Sequence, residues 1–174
     1  MLELIDGRDV TTPVHIPRPR RVGGGGIDSD VAAIIERVRM DGDRALVELG
    51  SRFDGVDLAA ADLRIQPEVI ERSRSLVRPE LIDALEVLAE RLRSTCERQL
   101  PAPWTSSDAG STVGELVRPL RRVGIYVPGG RAAYPSSVLM AAVPARTAGV
   151  ESIAVATPPG PSGDVAEAVL AACS

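Results

Sequence analysis

From residue 123 onward the sequence alternates between two kinds of segment, and that alternation restricts the fold more than any other feature. Val123 to Val127 is a β-rich run that feeds the loop PGGRAAYP. A helix capped by Ser136 is expected to run to about Ala148, with Gly149 as its stop. The strand Ser152 to Ala156, the turn PPGPSG and a helix from Asp164 to the end complete a β-α-β-α order. A helix between two strands carries the chain back so that the second strand starts in the same direction as the first. The expected fold class is therefore α/β, the opening of a doubly wound parallel sheet.

The first 122 residues read differently. Residues 1–26 end in Pro17, Pro19 and the run Gly23 to Gly26, and are taken as an N-terminal arm. Val31, Ile34, Ile35 and Val38 then predict a helix over residues 29–40 that Asp41-Gly42 ends. Asp43 is positioned to cap a second helix whose Leu46, Leu49 and Phe53 form one stripe. A short strand is expected at Leu63-Arg64-Ile65, then helices opening at Pro67 and Pro79. In the last of these Leu81, Leu85, Leu88, Leu92 and Cys96 recur at helical spacing, which places that thiol on the apolar face. The Pro- and Ser-rich segment 101–110 is read as a boundary, and Thr112 to Val117 with Val123 to Val127 as a hairpin-like pair through Arg118-Pro119. Three regions follow: an arm (1–26), a helical region (27–110) and the start of a doubly wound α/β domain (111–174), which the family resemblance given below makes a truncated Rossmann-like NAD-binding domain.

Composition removes whole classes of chemistry. All 20 basic residues are arginine, so a phosphate-loop lysine, a Schiff-base lysine and a lysine general base are absent. One histidine, His15, and two cysteines, Cys96 and Cys173, cannot supply a zinc cluster of the usual ligand count. A net charge of −4 and only four aromatic residues leave little with which to hold nucleic acid, so no nucleic-acid partner is expected. The N-terminus has no secretory pattern, and the longest apolar run, Val138 to Ala145, falls far short of the ~20 residues of a membrane span. The expected setting is cytoplasmic, with free thiols and no membrane.

The strongest local signal is VGIYVPGG, residues 123–130, a strand entering a glycine turn before a helix. In an open α/β sheet, ligands sit beyond the carboxyl ends of the strands, beside such turns. The run is neither G-x-G-x-x-G nor a phosphate loop, and on its pattern alone a plain structural turn is favoured over a ligand loop.

The run RVGIYVPGGRAAYPSSVLMAAVPARTAGV, with SIAVATPP after it, resembles the corresponding segment of histidinol dehydrogenases. GDRALVELGSRFDGV, the helical stretch before Cys96 and the strand Leu116 to Pro119 resemble the same family, so the likeness spans about residues 27–174. The resemblance implies an enzyme that oxidises L-histidinol through the aldehyde to L-histidine with two NAD, with zinc holding the substrate. It also implies a homodimer built on incomplete Rossmann-like domains related to the aldehyde dehydrogenase fold, here preceded by an α-helical region and a β-hairpin. Tyr126 matches the family tyrosine that contacts NAD. Pro128, Gly129 and Gly130 match the tight turn that lets backbone approach the cofactor. The family's zinc ligands and its Glu-His acid/base pair lie in later sequence, so no catalytic or metal-binding residue is assigned within these 174. The chain is expected to be the N-terminal portion of a longer enzyme and to be inactive alone. A non-catalytic nucleotide-binding or oligomerisation module is the alternative, and an aldehyde-type dehydrogenase a third option.

The remaining candidates have structural readings. His15 is expected to be solvated, Cys173 to serve packing, and Arg121-Arg122 to discourage strand-edge association. Glu86, Glu90 and Glu97 with Arg91, Arg93 and Arg98 read as a solvated face of charge pairs on one helix.

Overall fold

The structure, a computed structural model, describes residues 25–129 and 132–174. Its contacts divide the chain into two compact units, Met1–Gly42 and Asp43–Ser174. The described part of the first is one helix, α1 (Gly25–Asp41). It begins earlier than the expected residue 29, because the last glycines of the run, 25 and 26, join its first turn. Gly42, at φ +57°, closes it as the sequence suggests.

The second unit carries the rest. In α2 (Asp43–Asp54) the buried residues are Ala45 and Leu49, one turn apart. Leu46 and Phe53, expected on the inner stripe, are exposed, and the Phe53 ring instead lies under the Arg52 guanidinium, 4.9 Å away. The strand expected at residues 63–65 does not form. A short 3₁₀ turn, Ala60–Leu63, stands there, held by Asp62 accepting the Ala59 N–H through its carboxylate at 3.3 Å. A strand needs a neighbour for its backbone, and residues 64–65 pair with none. Both proline-led helices form: α3 (Pro67–Ser73) and α4 (Pro79–Glu97), each with proline in its first turn and an acidic residue behind it. The α4 stripe faces inward at Leu81, Leu85, Leu88, Leu92 and Cys96, with Leu85 buried and the others half-buried.

The hairpin is real but lies elsewhere in the sequence. β1 (Trp104–Asp108) pairs antiparallel with β2 (Ser111–Glu115), so residues 104–108 of the Pro- and Ser-rich segment form a strand. Ala109 and Gly110 form the two-residue turn, with φ of 46° and 83°. Positive φ at both turn positions matches the twist of the flanking strands, which a turn at Arg118-Pro119 cannot do. The expected division at 110/111 therefore falls at the tip of this hairpin. Every residue of β1 and β2 is exposed.

β3 (Arg122–Tyr126) does not join the hairpin. It pairs in parallel with β4 (Ser152–Ala156), in a register that sets Tyr126 opposite Ala156. Between them runs α5 (Pro135–Thr147), whose N-cap is Tyr134 and whose first helical residue is Pro135; Ser136 thus sits inside the first turn. Gly149, at φ +87°, ends the helix. Arg146 donates to the carbonyls of Val150 and Glu151 at 3.3 and 2.8 Å, tying the helix exit to the approach of β4. The last helix, α6 (Glu167–Ala171), is shorter than expected.

The core of this unit lies on one side of the β3–β4 sheet. Leu85 of α4, Val127 after β3, Val138 and Leu139 of α5, and Val169 and Ala172 at α6 form one cluster. Ile125 and Val155 pack on it from the strands. Both strands alternate, so Gly124, Tyr126, Ala154 and Ala156 lie on the other face and are exposed. The β-α-β-α order is thus present as a mixed fold of helices, an antiparallel hairpin and a two-stranded parallel sheet.

Candidate functional site

Parallel strands deliver their loops to one end of the sheet. The Val127 N–H donates to the Ala156 carbonyl at 2.9 Å, so the pairing continues one residue past β3, and Val127 is wholly buried. Beyond that bond the chain departs on both sides, through Pro128-Gly129 after β3 and Thr157-Pro158 after β4. A cleft of about 240 Å³ opens here, walled by Gly129, Ala132 and Ala133 from the first loop and by Thr157, Pro158, Gly160 and Asp164 from the second.

Gly129 explains how the two loops come together. A methyl group on it would stand 3.0 Å from the Pro158 carbonyl oxygen and 3.0 Å from Thr157 Oγ1. The close approach that glycine permits at this position is therefore between two loops of the protein, in addition to any ligand that the turn meets. Gly130, the third residue of the expected turn, and Arg131 lie outside the described residues, as does His15.

The second loop is tied into a defined shape. The Gly160 N–H donates to the Asp164 carbonyl at 2.9 Å, and the Gly163 N–H donates to the Gly160 carbonyl at 2.9 Å. Gly163 has φ +86°, and a methyl there would meet Val56 Cγ1 at 3.2 Å. The turn is thus braced on the segment that follows α2. It carries Asp164, exposed, to the lip of the cleft, while Thr157, half-buried, sits at the root of β4. Among the described residues, neither the Thr157 hydroxyl nor the Asp164 carboxylate has a hydrogen-bond or ion-pair partner. Sequence reasoning passed over both. The usable signal for Thr157 is its place directly after a parallel strand, where ligand-facing residues gather.

Tyr126 is placed differently from the cleft walls. It is 70% exposed on the open face of the sheet, one residue before the strand end, with its phenol free to meet another molecule. Cys173 is half-buried against the core cluster, and burial pushes its thiol above the ordinary range, which suits packing and suppresses nucleophilicity. On α4, Glu90 pairs with Arg93 on its own helix, whereas Glu86 pairs with Arg74 just beyond α3, so that face also ties two helices together. Among the described residues no group of three His, Cys, Asp or Glu side chains stands close enough to hold a metal ion. No helix of the described residues is long and apolar enough to cross a membrane.

A strand–turn–helix–strand with a small cleft at the strand ends places the chain among mixed helix-and-sheet proteins, with the cleft where such sheets receive ligands. Comparison with known proteins makes this specific. The family model for histidinol dehydrogenase matches residues 20–174. The chain is 47% identical over 148 residues to the histidinol dehydrogenase of Syntrophotalea carbinolica, covering 84% of this chain and 34% of that protein. It is 41% identical over 175 residues to that of Moorella thermoacetica, covering all of this chain and 41% of the relative. The crystal structure of histidinol dehydrogenase from Elizabethkingia anophelis superposes with a TM-score of 0.78 at 29% identity, covering 92% of this chain and 35% of that one. The chain belongs to the histidinol dehydrogenase family. It spans roughly a third to two fifths of the length of the relatives it matches.

Proposed function

We propose that this chain is the N-terminal portion of an NAD- and zinc-dependent histidinol dehydrogenase, and that it supplies one wall of the dinucleotide crevice. The complete enzyme oxidises L-histidinol through the aldehyde to L-histidine, as a cytoplasmic homodimer. The reading rests on one observation above all: the cleft at the carboxyl ends of β3 and β4 lies within residues 20–174, the stretch that the histidinol dehydrogenase family model matches. The incomplete Rossmann-like character belongs to the same proposal, as a parallel β-α-β-α order with a glycine turn after its first strand.

Bound NAD supplies a hydride acceptor. The part left to this chain is to bind and orient. Tyr126 offers an exposed phenol ring on the open face of the sheet, one residue before the strand end, suited to stacking on or bonding to the cofactor. Gly129 lets the β3 loop seat on the β4 loop, fixing the shape of the wall. Zinc does not fit the described residues, which bring no ligand set together, so no step of this chain runs through a metal.

A chimera tests this reading: the chain replaces the matching 41% of the Moorella thermoacetica enzyme. Histidinol-dependent reduction of NAD is the expected result, with Tyr126→Ala raising KM for NAD at least about fivefold from lost aromatic stacking. A folded chimera without that activity refutes the function. An unchanged KM in the Tyr126 variant refutes the role of the tyrosine.

A further inference from the structure

We infer that Val56 and Leu58, in the extended segment between α2 and the 3₁₀ turn, are positioning residues: by packing on Gly163 they hold the loop after β4 in place, and so govern dinucleotide affinity from the helical region without touching the cofactor. The inference rests on the dinucleotide role proposed above for the strand ends, and adds to it a control point outside them.

The loop needs support from outside. Residues 157–166 join β4 to α6 without regular structure, and α6 itself is only Glu167–Ala171, too short to be a firm anchor alone. The Gly160 N–H donates to the Asp164 carbonyl and the Gly163 N–H to the Gly160 carbonyl, both at 2.9 Å. Both bonds lie inside the tip of the loop. They fix its shape and leave its place relative to the sheet to other contacts.

Gly163 supplies such a contact. Its φ of +86° lies in the left-handed region, and a Cβ there would stand 3.2 Å from Val56 Cγ1 and 3.7 Å from Leu58 Cδ2. Val56 and Leu58 are half-buried while Gly55, Asp57 and Ala59 are exposed, so the extended segment turns both side chains to one side, where they converge on the same glycine. The contact is apolar, and its attraction fades within a fraction of an ångström of separation. Removing methyl groups from either side chain therefore loosens the tip.

The supporting segment is itself held at both ends. Gly55, at φ +70°, turns the chain out of α2, whose Ala45 and Leu49 are buried. At the other end the Asp62 carboxylate accepts the Ala59 N–H at 3.3 Å. The loop thus leans on a fixed rail. Because it leaves from the carboxyl end of a parallel strand, where open α/β sheets receive their ligands, a shift of its tip is felt as weaker binding.

Two measurements test this. Amide hydrogen exchange on the 174-residue chain needs no cofactor: Val56→Ala and, separately, Leu58→Ala should speed exchange at the Gly160 and Gly163 amides severalfold, while the Val127 amide, bonded to Ala156 across the sheet, keeps its rate. In the Moorella thermoacetica chimera the same variants should raise KM for NAD at least about threefold, with KM for histidinol and kcat unchanged, and Val56→Ile should restore the parent value. A merely structural role would quicken exchange throughout the unit and move both KM values together, and that result overturns the inference. Unchanged exchange at Gly160 and Gly163 overturns it as well, as does quickened exchange with an unchanged KM for NAD. If Tyr126→Ala raises that KM and Val56→Ala does not, the positioning role is wrong and the dinucleotide reading stands. If the folded chimera shows no activity, that reading falls and takes the inference with it.

Discussion

At the scale of single residues, the distances around Gly129 matter most. Adding one methyl forces either the Pro158 carbonyl or the Thr157 side chain to move, since both oxygens lie 3.0 Å away. Gly129→Ala is therefore expected to destabilise the chain by about 1–3 kcal/mol, as overpacking does, with a lower urea midpoint as the readout. The sequence displayed this glycine clearly, yet its neighbour across the gap is 28 residues away, and no local pattern announces that contact. Cys173 carries a second prediction. Burial raises its thiol pKa in the folded chain above the unfolded value, so the folded state keeps its proton where the unfolded state has lost it. Its contribution is complete below the unfolded thiol's pKa and disappears as pH rises through the folded one. The urea midpoint should thus fall on the alkaline side, and Cys173→Ala should reduce that fall.

At the scale of elements, the helices and the parallel pairing across α5 were legible, and the antiparallel pairing was not. Proline followed by glutamate marked the starts of α3 and α4, and the leucine spacing of α4 identified its inward face, because both signals are local and periodic. The stripe of α2 was misjudged by one position: small Ala45 is buried and larger Leu46 is not, a choice set by what packs there. Strand partners depend on the rest of the chain. The expected run Thr112 to Val117 forms a strand only as far as Glu115, and its mate is Trp104–Asp108, in a stretch whose Ser and Pro content hid it. The turn between them holds Ala109 in the left-handed region, which an alanine tolerates at a cost of about 1 kcal/mol. Ala109→Gly is expected to recover about that much locally, seen as slower amide exchange in β1 and β2. Because no residue of the hairpin is buried, the melting of the core should stay where it was. Leu85→Ala gives the contrasting result. Leu85 joins α4 to the cluster containing Val138 and Leu139, so its truncation should cost about 2–5 kcal/mol of the whole second unit.

At the scale of the whole molecule, the matched share of the relatives decides what the chain can be asked to do. On the proposed role as one wall of a crevice completed by a longer enzyme, the purified chain is expected to produce no NADH from histidinol above the background of a mock preparation. Histidinol-dependent turnover by the chain itself would contradict that division of labour. The β-α-β-α order was readable from strand and helix signals alone, and the family from a long run of distinctive residues. The cleft was not, since it depends on where two loops come to rest after the sheet has formed.

The wet side of the β3–β4 sheet has a practical meaning of its own. Gly124, Ala154 and Ala156 cover the peptide groups beneath them with almost no side chain, so water, denaturant and other macromolecules reach the backbone there from above. Tyr126 stands at the carboxyl end of that floor and Arg122 at the other end, both exposed on the same face. A body that settles there meets an aromatic ring at one end and a cation at the other, and salt should weaken the part of its hold that depends on Arg122.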